Sequence, residues 1–124
     1  MLIKDVQKCR FITALDNTVL CELLHPAREN VLIPYSVAYA VLKPGRSSKQ
    51  HRLRKSSEIY FILEGEGVMH IDNESAIVYR DMAIFIPPLS WQYIQNTGTT
   101  DLKFLAIVYP SWSEDDEEIY EVNI

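Results

Sequence analysis

The chain has 124 residues, enough to bury roughly two-thirds of the surface its unfolded form exposes, so it can fold without disulfides or a structural metal. Its 12 Lys and Arg against 17 Asp and Glu give a net charge of -5, which argues against a nucleic-acid surface, whose footprint is a concentrated basic face. No apolar run approaches the ~18 residues a membrane span requires.

Lys4, Asp5, Gln7 and Lys8 interrupt the N-terminus, so no apolar signal region is expected there. Cys9 and Cys21 form no CxxC pair; the reading is a cytoplasmic protein with both thiols reduced. Residues 1–30 form an N-terminal arm in which Val6, Phe11, Ile12 and Leu15 suggest a strand or short packing element. Asp16-Asn17 reads as a turn or a helix start. Thr18 to Leu24, TVLCELL, is short, holds Thr and Val and is cut off by His25-Pro26, which favours strand over helix. A polar loop follows around Arg28 to Asn30.

From residue 31 to about 110 the pattern becomes regular. In YSVAYAVLKPG, Val37, Tyr39 and Val41 share one face while Ser36, Ala38 and Ala40 share the other, which is either the crowded face or the one a ligand approaches. Then come EIYFILEG, GVMHID, SAIVY, MAIFIP, WQYIQN and DLKFLAIVYP, joined by the turn-rich links EGEG, DNE, PPLS and NTGTT. Many short strands at this spacing predict an all-β sandwich or barrel. Ile59 to Leu63 and Leu102 to Tyr109 are apolar on both faces, so a second sheet or second subunit should cover the outer one. Residues 111–124 form an acidic tail. Ser113 before EDDEE is a candidate N-cap, the simpler reading being a solvated tail that Trp112, Ile119, Tyr120, Val122 and Ile124 could dock.

Two stretches carry a family resemblance. Gly45, five residues, His51, one residue, Leu53, four residues, Glu58, six residues and Gly65 resemble the first cupin motif, G(x)5HxH(x)3-4E(x)6G. Asp81, five residues, Pro87, one residue, Leu89, two residues, Gln92, three residues and Asn96 resemble its partner, G(x)5PxG(x)2H(x)3N. The wording SVAYAVLKPG, SSEIYFILEGEG and IPPLSWQYIQNTG is similar to small cupins of the mannose-6-phosphate-isomerase-like group. The resemblance implies a single domain over residues 1–124 with a double-stranded β-helix, the RmlC-like jelly-roll barrel, commonly a homodimer. It also implies a divalent metal held by three His and one Glu.

The chain departs from that ligand set. His51 and Glu58 match, but Leu53 and Gln92 stand where the family has His, and Asp81 and Leu89 where it has Gly. Leu offers no lone pair and Gln only a weak neutral oxygen, so His51, Glu58 and Gln92 would suit a loosely held ion better than a tight site. An alternative is that His51 and Glu58 simply bond one another in a barrel without metal. Alternation places Tyr60 and Ile62 on the face of Glu58, Ile94 on that of Gln92 and Leu53 on that of His51, giving an apolar pocket with a few convergent polar groups. His25, His70, Glu64, Glu66, Trp91 and Tyr93 read as packing or surface residues.

The expected function is a cupin binding a small molecule such as a sugar or sugar phosphate, with a partial or absent metal site. The alternative is a metal-dependent isomerase or dioxygenase using His51, Glu58 and Gln92. A metal-free variant would use His51 as general base, oriented by Glu58, to shift a proton beside a sugar carbonyl.

Overall fold

The computed structural model describes residues 1–121; Val122 and Ile124, expected to help the tail dock, lie outside the described residues. The chain folds as two antiparallel sheets packed face to face, the jelly-roll barrel that the strand pattern and the motifs indicate. One sheet has the order β1 (Ile12–Thr13), β2 (Val19–Leu24), β3 (Ser36–Leu42), β10 (Leu102–Tyr109), β5 (Ser57–Glu64) and β8 (Ala83–Ile86). The other runs β11 (Glu117–Ile119), β4 (His51–Leu53), β9 (Gln92–Asn96), β6 (Glu66–Ile71) and β7 (Glu74–Tyr79).

Period-two alternation becomes burial directly. Along β10, Leu102, Phe104, Ala106 and Val108 face inward and are buried, and along β5 so do Glu58, Tyr60 and Ile62. Ile62, Phe104 and Leu102 from one sheet and Met69, Val78 and Ile94 from the other close a core at one end of the barrel. Fully burying such side chains stabilises the fold by about 1.5–3 kcal/mol each.

Turn geometry holds where the family's glycines are missing. Asp81 and Leu89 keep positive φ angles of 72° and 71°, left-handed backbone that Gly adopts freely. At Gly65, with φ 83°, a Cβ would fall 2.5 Å from the Asp101 carbonyl oxygen, so only glycine fits.

Two local expectations change and one holds. Residues Pro26–Glu29 form one α-helical turn, α1, where a plain loop was expected; Pro26 opens it, and His25 Nδ1 accepts from the Ala27 N–H. Thr18 to Leu24 is strand, apart from its first residue. The tail is neither a helix nor a solvated coil: Glu114–Asp116 makes one 3-10 turn that Ser113 precedes without a side-chain capping bond, and Glu117–Ile119 then pairs with β4. Asp116 anchors this return, accepting from the Lys55 and Ser56 N–H groups at 2.8 and 3.1 Å. Among the described residues no helix is long and apolar enough to cross a membrane. Cys9 and Cys21 are free, and burial pushes the Cys21 thiol up to about 12.

Candidate functional site

A cavity of about 260 Å³ adjoins the packed core inside the barrel, with Ala40, Tyr60, Phe104 and Ala106 belonging to both. It exists because the inner face there is built from small residues. Ala38 pairs with Ala106 and Ser36 with Val108 across β3 and β10, where larger side chains would meet in a filled barrel. Tyr60 and Phe104, with ring centroids 4.5 Å apart, contribute aromatic wall. The N-terminal arm contributes Leu15, Asp16 and Thr18, and the C-terminal return contributes Trp112, Glu114 and Glu117.

His51, on β4, is 2% exposed. Its Nδ1 lies 2.7 Å from the Lys49 carbonyl oxygen, which can only accept, so Nδ1 carries the hydrogen and Nε2 is directed at Asp16, 3.4 Å from Oδ2. Glu58 enters from β5 and accepts from Gln92 Nε2 at 2.9 Å. Burial pushes its carboxyl up to about 7, against the opposing pull of His51 and the Gln92 bond. Burial also holds Glu117 above the usual carboxylate range, although its Oε1 accepts from Trp112 Nε1 at 3.1 Å. Tyr60 is raised well above its ordinary value, chiefly by burial and next by the Glu58 charge.

Of the pocket residues the sequence suggests, His51, Glu58 and Tyr60 line this cavity, and Leu53, Ile62, Gln92 and Ile94 do not. Alternation fixes which face a side chain takes but not its depth along the barrel. Ile62 and Ile94 lie deeper in the packed core, Leu53 is buried off the cavity wall, and Gln92 reaches the site only through Glu58. His51 and Glu58 do not bond one another; their partners are Lys49, Asp16 and Gln92. The carboxylate nearest His51 is therefore Asp16, not Glu58, and the group that orients the ring is the Lys49 carbonyl.

Asp16, Thr18, Arg28, Trp112 and Glu117 were not among the expected site residues. Asp16 read as a turn and Glu117 as one of several acids in a tail, and nothing in either local pattern distinguishes them. The alanines of β3 did carry a signal, as the small face of an otherwise apolar strand.

The residues do not fit the metal site that the family implies. Among the described residues no group of three or more His, Cys, Asp or Glu side chains is gathered to hold an ion. Leu53 supplies no donor, and Gln92 directs its amide N–H at Glu58, taking up the carboxylate oxygen an ion would use. His70 and His25 are structural: His70 Nε2 lies 2.8 Å from Gln95 Oε1 and its ring stacks on Tyr93 at 4.1 Å, while His25 Nε2 donates to the Trp112 carbonyl.

Residues 38–108 match the family described as Cupin domain. An uncharacterized protein of Methanocaldococcus jannaschii is 40% identical over 108 residues, 86% of this chain and 84% of its own length. An oxalate-binding protein of Thermotoga maritima is 39% identical over 67 residues, 54% of this chain and 55% of that protein. Among solved structures, a predicted oxalate decarboxylase of Thermotoga maritima superposes with a TM-score of 0.76 at 27% identity, covering 88% of this chain and 99% of that one. The Streptomyces protein Pac13, solved with uridine, superposes at 0.77 with 17% identity, covering 98% and 92%; it is described as a nucleoside dehydratase.

Proposed function

This chain belongs to the cupin family, and from that premise we propose that its cavity binds a small, hydroxyl-rich molecule of monosaccharide size, without a resident metal. The observation that carries the reading is the cavity itself: about 260 Å³, just below the range of drug-sized sites, with an apolar wall and a few buried polar groups facing inward. Tyr60 and Phe104 offer ring surface to a sugar's C–H face, while Asp16, Glu58 and Glu117 offer acceptors to its hydroxyls. The sugar reading also follows the resemblance to mannose-6-phosphate-isomerase-like cupins.

Phosphate and oxalate fit less well. The lining holds Asp16, Glu22, Glu58, Glu114 and Glu117 against Arg28 and His51, so a dianion would meet an excess of like charge. Oxalate, which appears in the names of one relative and of one similar solved structure, is therefore placed behind a neutral sugar.

A second reading, proton transfer on the bound sugar, is favoured by one observation: Glu58, held at about 7, is charged and neutral in comparable amounts near neutral pH, and it lies within the field of His51. In that scheme the Lys49 carbonyl orients His51 through Nδ1–H, Asp16 stabilises the imidazolium formed when Nε2 takes a proton, and Glu58 supplies or takes a second proton. The outer face of the larger sheet, where Ile59 and Phe85 pair side by side and remain exposed, is proposed to meet a second copy of the chain.

Thermal-shift titration with neutral monosaccharides, their phosphates and oxalate tests the reading. Neutral sugars are expected to raise the midpoint, before and after EDTA treatment, with the phosphates and oxalate giving smaller shifts. A response only to the anions, or one that EDTA abolishes, would sink it.

A further inference from the structure

The cavity lining holds more acceptor capacity and more negative charge than its own residues satisfy. Of its five carboxylates, Glu22 has Arg28 Nε 3.0 Å from Oε1, an ion pair by distance that is poorly aligned for a hydrogen bond. Asp16 has His51 at 3.4 Å, and its Oδ1 accepts from the Thr18 N–H at 3.0 Å. Glu58 has only the neutral Gln92 amide, and Glu117 only the neutral Trp112 indole N–H. No basic side chain among the described residues lies within ion-pair distance of Glu58, Glu114 or Glu117.

An independent observation points the same way. Thr18 is 3% exposed and lines the cavity, yet its Oγ1 has no partner, and Glu117 Oε2 is likewise buried without one. Buried acceptors are normally satisfied, so these two oxygens call for a donor brought in from outside.

We infer that the cavity selects a small organic cation, a primary ammonium carried on a hydroxylated body, as in an amino sugar or amino alcohol. This deepens the proposed function and rests on it: the apolar and aromatic walls take the body of the molecule, and the carboxylates take the charge. An ammonium has three N–H donors, no acceptor and a positive charge, so it suits a lining rich in carboxylates and unpartnered oxygens better than a neutral hydroxyl, which brings one donor. Tyr60 and Phe104 lie on the same cavity and pack on one another, an apolar wall for the body of the molecule. Asp16 and Glu117 each oppose ionisation of Glu58, and a bound positive charge relieves that repulsion. A bare divalent ion is disfavoured because the donors are spread around the cavity and no three gather at ligand spacing.

Calorimetric titration of the full chain with matched pairs tests this: glucosamine against glucose, galactosamine against galactose, mannosamine against mannose, ethanolamine against ethylene glycol. At neutral pH and low salt the amine of at least one pair is expected to bind about tenfold or more tightly than its neutral partner, a modest gain for a charge-assisted contact. That preference should fall severalfold in Glu117→Gln, and in Thr18→Val as a second variant that leaves the Trp112 contact untouched. Equal affinities within every pair overturn the inference and leave the proposed function standing. No binding by any member overturns both. Displacement of a bound amine by Mn²⁺ reassigns the carboxylates to a metal ion and overturns the inference together with the metal-free part of the proposed function.

Discussion

At Glu58 the fold sets burial against charge. Its carboxyl is buried with one amide for company, and its pKa stands at about 7 against an ordinary 4.5. Below 4.5 both folded and unfolded chains hold the proton. Between 4.5 and about 7 the folded chain keeps a proton that the unfolded chain releases, so stability falls as pH rises through that window, by roughly 3 kcal/mol for an isolated group. Glu58→Gln keeps an oxygen for Gln92 Nε2 and removes the titration. Urea unfolding at pH 5 and pH 8 is expected to show the parent losing about 2 kcal/mol more than the variant between the two; parallel losses would mean that Glu58 ionises as freely in the fold as in water. Glu58 and His51 were legible because a motif with fixed spacing names them. Asp16 and Glu117 were not, because what makes them site residues is convergence: one comes from the arm, the other from the strand that follows the 3-10 turn of the tail, and neither lies in a repeating local pattern.

Among the elements, β3 and β10 make the cavity, and they make it with alanines. Ala106 pairs with Ala38 on one side and Tyr60 on the other, so a larger side chain there points into the open volume. Ala106→Leu is expected to stabilise the fold or leave it unchanged, filling space that is otherwise unpacked, while lowering ligand affinity by tenfold or more. A folded variant with undiminished affinity would place the binding site elsewhere. The strands themselves were readable from period-two alternation bounded by Gly, Pro and Asn turns, and the strand reading of 18–24 holds from Val19 onward. β11 was hidden because EDDEE looks like solvated or helical sequence in isolation. It becomes a strand through tertiary terms, the Asp116 bonds to Lys55 and Ser56 and the free edge of β4. Alternation also could not say which inward residues would border open space and which would be packed, since that depends on neighbours across the barrel.

At the scale of the whole molecule, the larger sheet has two apolar faces and only one core. Its outer face carries Val37, Tyr39, Leu105, Ile107 and Phe61 across three adjacent strands, and the register places Ile59 beside both Ile107 and Phe85. The arm covers part of it, with Phe11 edge-on to Tyr39 at 6.2 Å, and leaves the β5–β8 side open: Ile59 is 38% and Phe85 62% exposed. On the proposed pairing, this apolar face packs against its equivalent in a second copy, and isologous contact closes the assembly without leaving another open patch. The 14.3 kDa chain is therefore expected to sediment at twice its mass at micromolar concentration. Ile59→Lys combined with Phe85→Lys should return it to a folded monomer, because both side chains are already substantially exposed in one copy and the new charges repel across the two-fold axis. Sedimentation of the unaltered chain as a monomer would overturn the pairing. A dimer indifferent to both substitutions would move the interface off the β5–β8 edge, towards β3 and the arm, where Tyr39 and Phe11 would be the next residues to charge.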